Sequence, residues 1–164
     1  MPVIETTLIE GYDAQTKARL MKGMARVVRS VMAAPPEGIV TVIREVAASS
    51  YARGGVSRVP GPPLPPAVEV VSAFVQAVAV GDRDRAASFL APDFSAADRT
   101  GRPIGLDDLL AAGRRSYSRF DEALGDEAVT VFAQGTAEGA AAGFIERYTL
   151  SGALIAAYAC WGGD

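Results

Sequence analysis

Pro2 is the residue of this sequence best suited to acid–base chemistry. The chain of 164 residues has no histidine and one cysteine, Cys160, which excludes a Ser-His-Asp triad, a Cys-His pair, a histidine metal site and a cysteine zinc cluster. Met1 is usually removed when the second residue is small, and its removal would give Pro2 a free secondary amine. An α-amino group titrates near ~7.7–8.0 in peptides, and both desolvation and a nearby cation lower that pKa. Such an amine is a general base at neutral pH.

The alternative is that Met-Pro is an ordinary start. If Met1 stays in place, the Pro2 nitrogen is an amide and has no basicity. Carboxylates, tyrosines, arginines and Cys160 are then the groups left for acid–base chemistry. The glycines match no phosphate-binding loop, and we expect neither a metal nor a cofactor.

The amino-acid composition limits the kinds of partner and the cellular compartment that we expect. Sixteen Lys and Arg against 19 Asp and Glu give a net charge of −3, which argues against binding to nucleic acid. Hydrophobic residues make up 49% of the chain, enough for a packed core. No apolar run reaches the ~18 residues of a membrane span, and the start lacks the pattern of a signal peptide. We therefore expect a cytoplasmic protein with no membrane partner.

A proline-rich segment divides the chain. Five of the ten prolines lie in residues 60–66, where they fix φ and remove backbone donors, and an extended spacer is the expected form. Residues 1–59 carry a net charge of +3 and residues 67–164 a net charge of −6. We predict two domains, 1–59 and 67–164, joined by this linker. A long loop within one domain is the alternative.

The first half has the pattern of a β-α-β unit. Val3 to Ile9 is β-branched and predicts a strand, and Asp13 can cap a helix with one apolar face that runs to about Ala33. Ile39 to Val46 predicts a second strand, parallel to the first, and Tyr51 to Gly55 a turn or short hairpin. Two strands and one helix leave one sheet face uncovered, so we expect the chain to associate with copies of itself.

The second half has the pattern of helices followed by strands, an α+β arrangement. The predicted elements are a helix over 66–80, a helix from Asp82 to Leu90, a turn at Ala91-Pro92-Asp93-Phe94, a helix from near Leu106, and strands at Ala128–Gln134, Ala141–Leu150 and Ala153–Trp161. The three strands are expected to form an antiparallel meander. Arg114, Arg115 and Arg119 are interpreted as the solvated face of the third helix.

Residues 2–59 resemble the 4-oxalocrotonate tautomerase family. The resemblance is carried by Pro2 at the start of the first strand, Leu8-Ile9-Glu10-Gly11 at its end, the long amphipathic helix, Ala34-Pro35, Val42-Ile43-Arg44-Glu45-Val46, and an aromatic residue before Gly54-Gly55. It implies that Pro2 is a general base that moves a proton between carbon atoms of a small enol or unsaturated keto acid. It also implies a homo-oligomer, a hexamer or a trimer.

Departures from the family pattern bear on the substrate. Tyr12 and Val40 stand where the family has arginines that bind substrate carboxylates, which argues against a dicarboxylate. Among the residues that the resemblance assigns to substrate binding, Tyr51 is the pocket aromatic. Arg53 is a relocated cation, or else a solvated strand arginine or part of a subunit salt bridge. Tyr12 lines the pocket or is a surface residue in a turn. Arg44 contributes a charge, or else is a solvated strand arginine or part of a subunit salt bridge.

Residues 67–164 resemble the SnoaL-like group of cone-shaped α+β domains, which are related to nuclear transport factor 2. The matching features are the first helix with Gly81-Asp82 after it, Ala86 to Leu90 running into 91–94, and the closing strands. Catalytic members of the group often use an Asp or His in the pocket. No aspartate can be assigned to that role here, because Asp93 and Asp98 are interpreted as caps of turns.

Three hypotheses follow from these resemblances. In the first, the protein is a tautomerase with Pro2 as base, acting on a small-molecule enol. In the second, a cationic prolinium hydrates an unsaturated or halogenated acid, which normally requires a carboxylate and arginines in the pocket. In the third, the tautomerase scaffold is catalytically degenerate and forms oligomers, while the SnoaL-like domain binds a small apolar ligand.

Overall fold

The computed structural model describes residues 1–112, 114–125, 128–139 and 142–162. The chain folds as two compact units, residues 1–63 and residues 64–164, and the boundary falls within the proline-rich segment. We refer to them as the first unit and the second unit. The second unit combines helices with a mostly antiparallel sheet, and the predicted α+β class is confirmed.

The first unit contains the predicted strand, helix, strand and hairpin. Its elements are β1 (Val3–Ile9), α1 (Ala14–Val31), β2 (Val40–Val46), β3 (Ala52–Arg53) and β4 (Val56–Ser57). The Asp13 carboxylate accepts a hydrogen bond from the Thr16 backbone N–H at 2.7 Å and so caps the start of α1. After α1, Pro35 and Pro36 prevent further helix, and the chain enters β2.

Only one face of the first unit's sheet is covered. β1 and β2 are parallel, with Val3 opposite Val40 and Ile9 opposite Val46. Towards α1, the Thr6 hydroxyl donates to the Met24 sulfur at 3.0 Å. On the other face Val3 is 55% exposed, and no residue of 1–63, all of which are described, is buried.

The second unit places three helices against a six-stranded sheet. Its elements are α2 (Ala67–Ala79), α3 (Arg83–Ala87), β5 (Leu90–Ala97), β6 (Pro103–Ile104), α4 (Leu106–Ala111), β7 (Arg115–Leu124), β8 (Val129–Ala137), β9 (Gly143–Ser151) and β10 (Leu154–Gly162). The order of strands across the sheet is β6-β5-β10-β9-β8-β7. The last three strands form the predicted antiparallel meander, which β7 extends by one strand, and β5 runs parallel to β10.

The predicted turn at residues 91–94 is wrong, because this segment belongs to β5. The pairing of β5 with β10 shifts between Leu90, opposite Ile155, and Ser95, opposite Ala157. Pro92 lies inside this irregular stretch, where its missing N–H breaks no regular ladder of hydrogen bonds. The helix predicted to run to Leu90 ends at Ala87 for the same reason, since the chain is already extended at Leu90.

The placement of three arginines on the third helix is also wrong. That helix, α4, ends at Ala111, Arg114 lies beyond it, and Arg115 and Arg119 belong to β7. Arg119 is exposed and pairs with Asp121, whereas the Arg115 side chain is only 22% exposed. One of the three therefore lies largely inside the unit rather than on a solvated face.

The core of the second unit lies between α2 and the sheet. Val71 and Phe74 of α2 are buried together with Val131, Tyr148 and Ile155 of the strands. The Phe74 and Tyr148 rings meet edge to face with their centroids 5.9 Å apart, an arrangement that adds to the burial of both rings. No helix among the described residues has the length and apolar character needed to cross a bilayer.

Candidate functional site

Pro2 lies at one edge of the first unit, at the start of its sheet. Its carbonyl oxygen accepts a hydrogen bond from the Val40 backbone N–H at 3.0 Å, which extends the pairing of β1 and β2 back to the second residue. Pro2 is partly exposed, while Met1 before it is 89% exposed. The backbone therefore holds the Pro2 ring in a defined place beside the beginning of β2.

Arg44 lies farther along the same sheet. It is opposite Thr7 in the register, about 16 Å from Pro2 along the strand direction. Its Nη2 atom is 3.1 Å from Oε2 of Glu5, and its side chain is 67% exposed. The structure thus places Arg44 in an exposed ion pair within the chain and away from Pro2.

Tyr12, Tyr51 and Arg53 belong to segments at the other end of this sheet. β1 ends at Ile9, about 23 Å from Pro2 along the strand, and Tyr12 follows that end. The segment that contains the hairpin leaves the sheet opposite Ile9, after Val46. It returns to the same end at Pro60, whose Cγ lies 3.0 Å from the place that a Gly11 Cβ would occupy.

One copy of the first unit therefore does not assemble the predicted site. Tyr51 and Arg53 are exposed and Tyr12 is partly exposed. Gly11 has a φ of +126°, a conformation that glycine adopts readily, and this bends the chain between β1 and α1. Pro2 lies at the opposite end of β1 from Tyr12.

The second unit contains a buried polar cluster that the sequence predictions missed. The Glu146 side chain of β9 is completely buried. Its Oε1 atom accepts hydrogen bonds from Arg115 and from the Tyr158 hydroxyl at 2.8 Å. Its Oε2 atom accepts from the Tyr117 hydroxyl at 2.9 Å and from the Tyr148 hydroxyl at 2.6 Å. We call these five residues the Glu146 cluster.

The alternation of β9 directs Glu146 inward. Phe144, Glu146, Tyr148 and Leu150 are buried, and the residues between them are more exposed. This alternation was available in the sequence, because a carboxylate in the apolar phase of a strand needs partners. The arginine that pairs with Glu146 was hidden by its assignment to a helix.

Small residues on β8 allow β7 side chains to reach Glu146. Ala133 is opposite Glu146 in the register, and Gly135 is opposite Phe144. A Cβ at Gly135 would lie 2.9 Å from Cζ of Phe144 and 2.2 Å from the Ser116 carbonyl oxygen, which are impossible contacts. Across this narrow part of the strand, the Arg115 guanidinium lies over the Phe144 ring, 5.3 Å from its centroid.

The tyrosines of the Glu146 cluster hold their protons firmly. Burial raises the pKa of Tyr117, Tyr148 and Tyr158, and the negative charge of Glu146 raises these pKa values further. Each hydroxyl therefore remains a donor to the carboxylate. Among the described residues no buried side-chain polar atom is left without a hydrogen bond.

A narrow cleft opens beside the Glu146 cluster. Its volume is about 20 Å³, room for about one water molecule. Arg115, Tyr117 and Tyr148 form its polar part. The remaining lining is apolar and comes mostly from α2: Phe74, Val75, Val78, Ala79 and Leu109. This kind of lining is found in small-molecule sites, but the cleft is too narrow in this structure to hold more than water.

Asp98 has the turn-capping role expected of it. Its carboxylate accepts from the Thr100 backbone N–H at 2.9 Å and from the Arg102 backbone N–H at 3.0 Å. Hydrogen bonds from the side chains of Thr100 and Arg102 lower the Asp98 pKa well below its usual range. Within the described part of the chain, no group of three or more Asp, Glu, His or Cys side chains could hold a metal ion.

Comparison with known proteins relates the first unit to tautomerases. A family profile described as tautomerase enzyme matches residues 2–59. A probable tautomerase of Ralstonia nicotianae is 34% identical over 58 residues, which cover 35% of this chain and 83% of that protein. The crystal structure of N2, a member of the 4-oxalocrotonate tautomerase family, is 28% identical, with a TM-score of 0.32, and the match covers 34% of this chain and 88% of N2.

The same comparison finds similarity to NTF2-like proteins over a longer stretch of the chain. The crystal structure of an NTF2-like protein of unknown function from Cytophaga hutchinsonii is 15% identical, with a TM-score of 0.46. The match covers 60% of this chain and 90% of that protein.

Proposed function

The chain belongs to the tautomerase family through residues 2–59, and on that premise we propose that Pro2, freed by removal of Met1, is the general base of an isomerase. Family membership supports tautomerase activity. The single observation that carries the assignment to Pro2 is its placement: the Val40 N–H holds its carbonyl at the start of β1, so the ring nitrogen has a fixed position.

The proposed reaction is a proton shift within a small enol or unsaturated keto acid. The lone pair of the Pro2 nitrogen accepts a proton from the substrate, and the electron pair of the broken bond moves into the conjugated system. The prolinium N–H then returns a proton to a conjugated carbon, which regenerates the free amine. Desolvation in an enclosed pocket would lower the pKa of the Pro2 amine towards neutral pH, so that the free base is present to accept the proton.

A second copy of the chain completes the pocket in this proposal. Pro2 lies at one end of β1, and Tyr12, Tyr51 and Arg53 belong to segments at the other end, so neighbouring chains must supply them. The open sheet face and the absence of any buried residue in 1–63 support association through the first unit. We propose a homo-oligomer, a trimer or a hexamer.

The charges near this pocket favour a substrate with at most one carboxylate. Tyr12 and Val40 provide no cation, and Arg44 is already paired with Glu5. Arg53 is the remaining candidate among the predicted site residues for binding an acidic group. Tyr51 would pack against the substrate as the pocket aromatic.

The test is the rate of ketonisation of phenylpyruvate enol, measured by its ultraviolet absorbance. The protein used is one whose mass shows that Met1 has been removed. Pro2→Ala keeps a free amine but changes its position and basicity, and we expect a loss of activity of about 100-fold or more. The same chain with Met1 retained has an amide at Pro2 and should be inactive. Undiminished activity in both proteins would exclude Pro2 as the base.

A second candidate function has its own supporting observation. The cleft beside α2 has the lining of a site for a small, mostly apolar ligand, with three polar residues at one side, and it would have to widen from about 20 Å³ to admit one. In this proposal the first unit forms the oligomer and the second unit binds the ligand. This function would be favoured over the first if the protein binds such a ligand and the Pro2→Ala substitution leaves the rate of enol ketonisation unchanged.

A further inference from the structure

Strand β10 is apolar in both phases of its alternation. Tyr158 is buried in the core between the sheet and the helices. The residues of the other phase, Ala157, Ala159 and Trp161, therefore lie on the opposite face of the sheet. An antiparallel strand with one face in water usually carries polar residues on that face, whereas a strand covered on both faces is apolar throughout. The composition of β10 is that of a strand covered on both faces.

Apolar residues of the neighbouring strands continue this surface. Ala97 of β5 is opposite Ala159, and Ile145 of β9 is opposite Trp161. On β8, Phe132 belongs to the same phase, because the residues on either side of it are buried in the core. We call Ala97, Phe132, Ile145, Ala159 and Trp161 the outer patch, and the sheet face that carries them the outer face. Ile145 is 42% exposed and Trp161 is 47% exposed, so a single chain leaves the patch open.

Charged residues are sparse in the middle of the outer face. Among the outward residues of β8, β9 and β10, strands that the structure describes in full, Arg147 alone is charged. Its guanidinium lies over the Trp161 ring, 5.4 Å from the centroid. Arg119 and Asp121 of the edge strand β7 pair with each other. An apolar centre with few charges and a polar margin is typical of a protein–protein interface.

The outer face has the area that a stable interface needs. The five strands from β5 to β7 span about 24 Å across the sheet, and strands of this length extend for about 30 Å. Such a face offers about 700 Å² on each copy, or about 1,400 Å² for two copies, within the ~1,200–2,000 Å² that specific interfaces bury. Two outer faces packed together therefore form an interface of ordinary size.

The distribution of large and small residues fits a second copy of the same face. Phe132 and Ile145 lie on β8 and β9, whereas Ala97 and Ala159 lie on β5 and β10. A two-fold axis parallel to the strands, between β9 and β10, puts β9 against β10 of the other copy and β8 against β5 of the other copy. In this arrangement Phe132 faces Ala97 of the other copy, and Ile145 faces Trp161 of the other copy. Large residues then meet small or flat ones.

We propose that the outer face of the second unit is a docking surface for a second copy of this chain, with the outer patch at its centre. The match of large to small residues favours a copy of the chain over an unrelated partner. Burial of the apolar side chains of the patch provides the driving force. This pairing is additional to the association proposed for the first unit, which uses a different sheet.

The experiment follows Trp161, the one tryptophan of the chain, in the full-length protein. Acrylamide quenching of its fluorescence measures how much of the ring is accessible, and sedimentation velocity gives the number of chains in each particle. Both are recorded at the same micromolar concentrations. We expect Trp161 of the unmodified protein to be protected from acrylamide, because the outer face of another copy covers it.

Ile145→Glu should disrupt the pairing. A two-fold interface holds the substitution twice, so we expect the association constant of this interface to fall by at least about 100-fold. Each particle should contain fewer chains, and acrylamide should quench Trp161 more strongly. Ala97→Glu, two strands away from Ile145, should have the same effects, which separates loss of pairing from a local effect on Trp161. Val80→Glu, at an exposed position after α2, is the control and should change neither measurement.

Three results would overturn the proposal, provided that circular dichroism shows both variants of the outer face to be folded. If both keep the unmodified number of chains per particle, copies do not meet at the outer face, and association through the first unit is unaffected by this result. If Trp161 becomes more accessible while the number of chains stays the same, another part of the same chain covers the face. If Trp161 is equally accessible in all the proteins, the face is open to solvent.

Discussion

The two units of this chain differ in how much of their surface they bury within a single copy. All buried residues of the described structure belong to the second unit, and they lie on its three helices and on strands β5, β8, β9 and β10. The first unit has two long strands and one helix, and none of its residues is buried. A unit of this size gains little from burial and is only marginally stable alone. The second unit therefore has a core of its own, whereas the first unit lacks one.

One pair of residue types shows the contrast directly. Each unit pairs a glutamate with an arginine across strands. Glu5 and Arg44 are both more than half exposed, whereas Glu146 is fully buried and the Arg115 side chain is 22% exposed. Exposed pairs contribute little because water screens them, while breaking a buried pair leaves a charge without compensation. Replacing the glutamate by glutamine in each unit therefore separates the effect of burial on stability from the effect of ion pairing.

Glu146→Gln should have the largest effect on stability. It removes the charge opposite Arg115 and keeps the size of the side chain, and we expect it to lower the free energy of unfolding of the second unit by about 3 kcal/mol. Glu5→Gln is the matched control and should change it by less than about 1 kcal/mol. Urea denaturation followed by circular dichroism gives both values. Equal effects of the two substitutions would contradict the contrast between the units.

High pH should destabilise the second unit through its buried tyrosines. The pKa values of Tyr117, Tyr148 and Tyr158 are raised by burial and by Glu146, so an unfolded chain ionises them near ~10 while the folded chain keeps them neutral. Their contribution to stability is complete below that pH and decreases above it. We expect a loss on the order of 1 kcal/mol for each tyrosine by about pH 11.

The measurement is urea denaturation at several alkaline pH values, combined with tyrosinate absorbance. These three tyrosines should ionise together with unfolding rather than before it. Ionisation of all five tyrosines of the chain in the folded protein would show that the Glu146 cluster is open to solvent.

Val42→Lys should weaken association of the first unit. Val42 is opposite Glu5 in the sheet, on the face that α1 does not cover, and Lys can pair with Glu5 in the separate chain. Burying a lysine in place of a valine between copies should cost about 2 kcal/mol, or about 30-fold in the association constant. Gln15→Lys adds the same charge on exposed α1 and serves as the control. Sedimentation velocity over a range of concentrations distinguishes the two variants, and an unchanged particle size for Val42→Lys would place the interface elsewhere.

Asp98→Asn should have the smallest effect, although Asp98 belongs to the second unit. Hydrogen bonds from Thr100 and Arg102 lower the Asp98 pKa, so its contribution to stability is present above the ordinary aspartate pKa and is lost as the pH falls through the lowered value. The carboxylate is at an exposed turn. The variant should lose less stability than the unmodified protein between neutral and acidic pH, by a small margin in urea midpoint. A large effect at neutral pH would show that the turn itself, rather than burial, holds this region together.

Local patterns predicted the elements of the first unit well. Asp13, the double proline after α1 and two β-branched strands each act within a few residues, and the strand, helix, strand and hairpin follow from them. The place of Pro2 at the start of β1 was equally accessible. How copies combine was not, because it depends on which surfaces of separate chains meet. The assignments of Tyr12, Arg44, Tyr51 and Arg53 to a shared pocket therefore stay predictions.

The errors in the second unit come from long-range pairing that overrides local pattern. Pro92 and Asp93 favour a turn locally, but the neighbouring strand β10 draws them into β5 through an irregular register. Arg115 and Arg119 follow a real helix closely, and only their pairing with β8 reveals a strand. The Glu146 cluster combines side chains from three strands, so its members could not be grouped before the sheet order was known.

The positions of the polar side chains in the Glu146 cluster depend on the absence of a side chain at Gly135 on β8. A single added methyl group there would meet the Ser116 carbonyl and the Phe144 ring, and the β7 strand would have to move outward. Arg115 and Tyr117 would move with it, because both are carried by that strand. Substitution of Gly135 would therefore displace the Arg115 and Tyr117 side chains without changing either residue.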